Sequence, residues 1–398
     1  MSGEAKRQDP LARVLSLKSV RWFELDWHVA LLALALAAIG MVHVHSIAEA
    51  DELHQRAGVD WGGHVQKLCV ALPFFVLALA ARARWLARNA GRIWLAAMVL
   101  MVLVFVVGDV RNGARRWIQL PLGFDLQPSE LAKPALVLAL AAALASTKLK
   151  SGRDWMRVAP IMLVPIALTA LQPDLGTAMT MVPVSLGMLW AAGASWRLYA
   201  ALFVGGPLLA LLAAGTGFLL HDYQLQRVRT WLESWNAQDL LEAKNGAAFH
   251  AYHARVAIGN GGWTGTGLGE GVANRTAYLP ERDCDSIFAV VAEEGGFVGA
   301  LLVLLVYALF VVSLFGSASA LRDRFSRLAV TGIAIYFGAH LVVNTGVNLG
   351  LVPLTGLTLP FFSTGGSSML ASWAMLGLAL GLCASRVPTL DGDSFHRA

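Results

Sequence analysis

The sequence predicts an all-α polytopic integral membrane protein of about ten transmembrane helices, with one long extracytoplasmic loop between the seventh and the eighth. Three observations carry this. Of 398 residues, 57% are hydrophobic and only 14% charged, far more apolar than a soluble domain of this length. Mean hydropathy is +0.59, and continuous apolar runs of about 16 to 22 residues recur, which excludes the alternating pattern of a porin-like barrel. The basic residues behind the net charge of +5 sit in short loops between those runs, so they set topology and do not mark a nucleic-acid surface. Cys69, Cys284 and Cys383 are scattered without CxxC or histidine spacing, so neither a disulfide framework nor a zinc site is indicated.

In chain order, residues 1–26 form a polar, basic cytoplasmic tail (Lys6, Arg7, Arg13, Lys18, Arg21) without a cleavable signal pattern. Spans are expected at 28–46, 66–82, 92–108, 132–147, 158–173, 176–193, 198–220, 296–316, 328–350 and 366–385, within a single transmembrane domain at 27–385. An even number of spans puts both termini on one side. Arg82, Arg84, Arg88 and Arg92 follow the second span, and Lys148, Lys150, Arg153 and Arg157 the fourth. Arg197 follows the sixth, and Arg322, Arg324 and Arg327 the eighth, so the side of the termini is cytoplasmic. The first outer loop carries Asp51, Glu52 and Asp60, as that orientation requires, and residues 386–398 form a cytoplasmic C-terminal tail.

One outer loop departs from the charge rule. Arg111-Asn112-Gly113-Ala114-Arg115-Arg116-Trp117-Ile118-Gln119-Leu120 runs into Gln127-Pro128-Ser129-Glu130-Leu131-Ala132-Lys133. Two readings stand: an interfacial anchor built on Trp117 and the arginines, or a site that holds an anion. Glu130 and Lys133, three apart at a helix start, share a face and can pair in low dielectric. At Leu171-Gln172-Pro173-Asp174-Leu175-Gly176, proline and glycine interrupt the helix, and Asp174 either caps the next one or adds an acid to the outer cavity.

The long loop spans 221–295. Its glycine-rich stretch, Ile258 to Gly271, has no preceding strand and no βαβ context, so it is not a nucleotide loop. The glycines permit turns or let backbone approach a headgroup. His250 and His253 read as solvated loop residues without a third metal ligand. The loop ends in Leu279-Pro280-Glu281-Arg282-Asp283-Cys284-Asp285-Ser286, followed by an apolar run containing Glu293, Glu294, Gly295 and Gly296; five carboxylates fall within eighteen residues. A helix from Ser286 to Leu314 would extend about 43 Å and push Glu293 and Glu294 into hydrocarbon. A break at Gly295-Gly296 is therefore expected, with a short helix lying at the outer mouth before it. On that helix Glu281 and Asp285 share a face, while Asp283 points to solvent. Near the C-terminus, Asn344 to Leu370 forms a small-residue and proline loop. Its Ser363, Ser367 and Ser368 hydroxyls either serve close helix packing or offer donors to a phosphate or sugar.

Together the blocks GARRWIQL, QPSELAK, LQPDLGTA, YQLQRV, AIGNGG, GTGLGEG, LPERDCDSIFAVVAEEGGFVG and NTGVNLGLVPLTGLTLPFFSTGGSSML resemble the SEDS family of bacterial membrane proteins, the RodA/FtsW/SpoVE group, from about residue 110 to 385. The resemblance implies a multi-pass peptidoglycan glycosyltransferase of the cytoplasmic (inner) membrane. It would polymerise lipid II, the undecaprenyl-linked disaccharide-pentapeptide, on the outer face, for elongation or division. Its implied partners are a class B penicillin-binding transpeptidase, other elongation or division proteins and membrane lipids. It places the essential acid at Asp285 and a second at Glu281, with Gln127, Glu130, Lys133, Asp174, Ser363 and Ser367 in the blocks that face substrate. Cys284-Asp285-Ser286 stands where Thr-Asp-Phe is usual, Thr364 where tyrosine is usual, and Asp125 where RodA-like members often carry a base. Leu354-Thr355-Gly356 leans toward RodA, while VNLG and LTLPF also occur in FtsW-like sequences.

In such a transfer the 4-hydroxyl of one sugar attacks an anomeric carbon bearing a lipid pyrophosphate, so a base and a cationic partner are required. Asp285 either takes the proton or organises a divalent cation, magnesium or manganese, with Glu281 in support. Arg115, Arg116 and Lys133 are the candidates to hold the pyrophosphate. A lipid-precursor flippase is the rival reading and wants its acids near the bilayer midplane, whereas these fall at the outer interface. A recruiting scaffold would explain the long loop but not the concentrated acids.

Overall fold

The computed structural model of the protein describes residues 25–56, 58–111, 114–120, 124–202, 205, 222–235 and 248–385. Helices α1 (Trp27–Leu53), α2 (Trp61–Leu79) and α3 (Ala83–Val107) lead into three short strands, β1 (Asp109–Arg111), β2 (Ala114–Leu120) and β3 (Phe124–Leu126). Helices α4 (Pro128–Ser146), α5 (Gly152–Leu171) and α6 (Leu175–Ala191) follow. Beyond them come α7 (Asp222–Glu233), α8 (Phe249–Asn260), α9 (Val272–Thr276), α10 (Ile287–Ser319), α11 (Arg324–Asn348) and α12 (Gly366–Ala384). Among the described residues eight helices are long and apolar enough to cross a membrane, namely α1 to α5 and α10 to α12, with a shorter apolar helix at Gly176–Ala191. The span expected at 198–220 and both tails lie mostly outside the described residues.

The buried centre is formed by α4, α11 and α12; nearly every residue of α12 is buried, with α2 packed along it. Apolar side chains around the whole circumference mark such a helix as interior. A cluster of Phe310, Phe337, Phe361 and Trp373 joins α10, α11, the loop before α12 and α12 itself, with Phe337 and Phe361 stacked at 5.3 Å and Phe361 edge-on to Trp373 at 5.6 Å. Phe361 thereby anchors the loop that faces the acids.

Three expectations are corrected. The all-α reading missed the sheet at 109–126, which is antiparallel in the order β1-β2-β3, with Val110 opposite Arg115 and Gln119 opposite Asp125. Trp117 and Ile118 favour strand, and the charged loop masked that preference. Helix α3 begins at Ala83, not near 92: Arg84, Arg88 and Arg92 ride on its exposed side, where long stems let the charges leave the apolar zone. The residues before Ile287 are turns, not helix, so Glu281 and Asp285 do not share a helical face. The break itself falls where the sequence puts it, with Gly296 at φ 64° and ψ −166° inside α10.

Candidate active site

The turn Glu281–Ser286 is seated by contacts from four directions. Asn344 and Asn348 of α11 lie one helical turn apart and each donates a side-chain N–H to the Asp285 carbonyl at 2.9 Å. Asn344 also donates to the Leu357 carbonyl at 2.7 Å, tying the turn to the loop before α12. Ser363 donates to the Cys284 carbonyl at 2.5 Å and accepts from the Leu359 amide at 2.8 Å. Thr364 donates its backbone N–H to the Asp283 carbonyl at 2.9 Å and its hydroxyl to the Asp283 carboxylate. Lys67 of α2 caps this corner by donating to the Thr364 carbonyl at 3.1 Å. From the long loop, His250 of α8 bonds the Ser286 hydroxyl.

Most of these contacts fix the backbone of the turn, and none of them engages the Asp285 carboxyl. Asp285 is 8% exposed, and its Oδ1 has no hydrogen-bond partner among the described residues. Burial, and after it the Glu281 carboxylate, pushes the Asp285 carboxyl up to about 8, against the pull of its backbone hydrogen bond and of Arg227. Glu281 stands in the left-handed region at φ 46°, and partial desolvation of its carboxyl, then the Asp283 carboxylate, raise it. His250 Nε2 lies 3.6 Å from Asp285 Oδ1. Burial, and then Arg227, lower His250 to about 4, so at neutral pH the ring is uncharged and this contact is not an ion pair. A buried carboxyl with a pKa near the working pH, beside an open cavity, suits a general base.

The cavity is present. A space of about 280 Å³ is lined by Arg227, Thr230 and Trp231 of α7, His250 of α8, Asn348 of α11 and Leu354. His250 and Asn348 thus touch both the cavity and Asp285. Arg227, half-buried, donates to the Leu354 carbonyl at 2.9 Å. A larger cleft of about 440 Å³ lies between α1, α2 and Leu268. The turn's contacts given above come from none of its lining residues, whereas His250 and Asn348 tie the smaller cavity to the turn, so size does not locate the chemistry here.

The other expected site residues form a second group. Gln127 donates its side-chain N–H to Asp174 at 2.7 Å and its backbone N–H to Ser367 at 2.9 Å, and Ser367 donates to the Asp125 carbonyl at 2.7 Å. Asp174 accepts from the Thr177 N–H at 3.2 Å and hydroxyl at 2.9 Å, so it caps α6 while it binds Gln127. Arg116 donates to the Gln172 carbonyl at 2.8 Å and to the Pro173 carbonyl, and Arg115 to the Phe105 carbonyl at 3.1 Å. The arginines pin the sheet to α3 and to the turn before α6. Lys133 and Glu130 pair at 2.7 Å inside the bundle, 2% and 5% exposed. Lys133 also contacts His340 at 3.2 Å, and His340 reaches the Thr358 carbonyl at 3.0 Å. The pair is buried in the bundle, and through His340 it reaches the loop before α12.

Sequence reasoning missed three participants. His250 read as solvated but packs on Ser286, and nothing in its spacing signals a partner 36 residues away. Asp283 read as solvent-facing but holds Thr364. Arg227, within the quoted YQLQRV block, carried no role. Two departures from the family pattern meet in space: the Cys284 thiol lies 3.3 Å from the Thr364 hydroxyl.

Glu281, Asp283 and Cys284 each offer a ligand atom within 4.8 Å of the others. Burial, and then Asp283, push the Cys284 thiol up, so it stays protonated and is no ligand for a hard cation. The two carboxylates remain, and magnesium is commonly held by one or two carboxylates together with substrate phosphates.

Comparison with known proteins fits this geometry. A relative from Thiomicrospira cyclica, named "probable peptidoglycan glycosyltransferase FtsW", is 35% identical over 367 residues, spanning 89% of this chain and 91% of the relative. One of the same name from Geobacter sp. (strain M18) is 34% identical over 366 residues, spanning 89% and 95%. A solved structure of a peptidoglycan synthase complex, described for its coordination of polymerization and crosslinking, superposes with a TM-score of 0.76 at 33% identity, covering 91% of this chain and 98% of that one. The rod shape determining protein RodA of Thermus thermophilus superposes at 0.68 and 32% identity, covering 92% and 99%. The profile of the FtsW/RodA/SpoVE family, described as "Cell cycle protein", matches residues 24–386. With a family profile matched over residues 24–386, relatives on both the FtsW and the RodA side, and a multi-pass architecture, the chain belongs to the FtsW/RodA/SpoVE family.

Proposed function

We propose that this protein is a peptidoglycan glycosyltransferase that polymerises lipid II, with Asp285 as its general base. The observation that carries the reading is a buried carboxyl whose Oδ1 has no hydrogen-bond partner among the described residues, on a backbone held by two asparagines and beside a cavity lined by an arginine. The acceptor's 4-hydroxyl attacks the donor's anomeric carbon. Its proton passes to the Asp285 carboxylate as the new carbon–oxygen bond forms, and the anomeric bond to the lipid pyrophosphate breaks with its electron pair leaving on phosphate. That charge needs a cation, and Arg227 on the cavity wall takes the role first given to Arg115, Arg116 and Lys133. Glu281 and Asp283 would hold a divalent cation, which when bound would neutralise further pyrophosphate charge.

The protein works in the cytoplasmic membrane with both termini inside and the Asp285 turn outside, alongside a class B penicillin-binding transpeptidase, in elongation or division. Asp285 precedes α10 and does not sit mid-helix, which does not favour the flippase reading. Purified protein in liposomes, given fluorescent lipid II with and without the transpeptidase, tests this. Glycan chains are expected in both samples and longer ones with the partner; transbilayer movement of lipid II without chains would overturn the assignment.

A further inference from the structure

The break in α10 leaves two helix ends facing each other with unpaired backbone groups. The glycine-rich loop fills that gap. Before the break, the Glu293 carbonyl accepts from the Thr266 N–H at 3.0 Å and the Glu294 carbonyl from Gly267 at 3.1 Å. After it, Phe297 N–H donates to the Gly262 carbonyl at 2.8 Å and Val298 N–H to Trp263 at 3.1 Å. A Cβ at Gly261 or Gly265 would strike the α10 backbone at Ala292 or Glu294. Gly261 and Gly265 are therefore required for the close approach of the loop to the broken helix.

The two glutamate side chains extend the fastening. Glu293 is fully buried; its Oε2 accepts from the Ala273 N–H at 2.9 Å and its Oε1 from the Asn260 side chain at 3.1 Å. Glu294, 3% exposed, uses Oε1 to accept from Ser46 of α1 at 2.5 Å, the Gly269 N–H at 2.8 Å and the Asn274 side chain at 2.7 Å. Residues 273–274 are gripped from the other side by Arg282, which donates to the Ala273 carbonyl at 3.3 Å, the Asn274 carbonyl at 3.2 Å and the Asp51 carboxylate. Arg282 belongs to the turn that carries Glu281 and Asp285. A continuous run of bonds therefore leads from the helix break, through the glutamates and α9, to the acid turn.

We propose that Glu293 and Glu294 are positioning residues for glycosyl transfer: they fasten the glycine-rich loop and α9 to the break in α10 and so hold the Arg282 side of the turn that presents Asp285. The proposal rests on the reading of Asp285 as the base. A displaced base costs about 10²-fold per ångström in rate, so loosening this clamp lowers kcat more than it changes KM.

A bond swap tests it in the full-length protein. Glu293→Gln has one acceptor oxygen for two donors, and Asn260→Asp sets carboxylate against carboxylate. In the double variant the new amide donates to the new carboxylate while its oxygen still accepts from Ala273. The expected result is a kcat drop of about tenfold or more in each single variant, with KM within about twofold. The double variant is expected to recover most of kcat, along with amide-exchange protection across 260–275. Singles at wild-type kcat, or a double variant that regains protection but not kcat, would overturn the proposal. Glu294 gives a second arm: Glu294→Gln keeps the accepting oxygen and should lose less kcat than Glu294→Ala, and equal losses in variants of wild-type melting temperature contradict the clamp. Asp285→Asn, run in parallel, separates the two ideas. If it polymerises normally, the site reading fails; if it is silent and the swap does not restore kcat, only the clamp fails.

Discussion

The elevated pKa of Asp285 makes a prediction with two independent readouts. Its carboxyl titrates near 8 in the folded protein and, unfolded, near the ordinary aspartate value of about 3.9. The folded state therefore holds the extra proton between those values, and stability is greatest below the lower one. It falls by up to about 1.4 kcal/mol per pH unit as pH rises through the window, and levels off above about 8. Asp285→Asn removes that slope. The asparagines that hold this turn contact the backbone carbonyl, so the substitution keeps their bonds. Melting curves of wild type and Asp285→Asn from pH 5 to 9 should diverge, the variant becoming relatively more stable as pH rises. The rate moves the opposite way. A base with a pKa of about 8 is roughly one-hundredth ionised at pH 6 and one-tenth at pH 7, so kcat/KM should rise about ninefold over that unit and flatten above about pH 8 to 9. Parallel melting curves for the two proteins, or a flat rate profile between pH 6 and 8, would refute the assignment.

Further consequences follow from named contacts. Arg227→Ala should lower kcat/KM by about 10- to 100-fold, while its effect on melting temperature is that of losing the bond to the Leu354 carbonyl, about 1 kcal/mol; steady-state kinetics on lipid II decide this. Lys133→Met strands the buried Glu130 carboxylate and should destabilise the protein by about 3–5 kcal/mol, read as a lower melting temperature. Glu130→Gln/Lys133→Met should recover part of that loss. If Glu281 and Asp283 hold a divalent cation, chelation should depress polymerisation, and added magnesium or manganese should restore it in wild type but less well in Glu281→Gln; indifference to chelator would remove the cation from the mechanism.

The fold was legible where the physics is local. Membrane spans announce themselves by length and hydropathy, and the break at Gly295-Gly296 followed because an unbroken helix would have carried two glutamates into hydrocarbon. Helix starts were less legible: Arg84, Arg88 and Arg92 marked the end of the apolar zone, while the helix runs on beneath them. At the site, the acids could be singled out because charge density beside an apolar run is unusual. Their geometry could not. The Glu281–Ser286 turn is shaped by Asn344, Asn348, Ser363 and Thr364, all remote in sequence, and helical spacing was the wrong ruler for it. His250 and the glycine-rich loop had ordinary local readings, and only tertiary contact gives them partners. Lys133 was legible as unusual by its place inside an apolar run, but of its partners only Glu130, three residues away, could be read from spacing; His340 is remote in sequence.

The most direct test of the central claim is glycan synthesis from labelled lipid II by the purified protein with its partner transpeptidase, wild type beside Asp285→Asn at pH 8.5. Long glycan chains from wild type and a loss of about 10²- to 10⁴-fold in the variant are predicted. Chains made by Asp285→Asn at the wild-type rate would contradict the account.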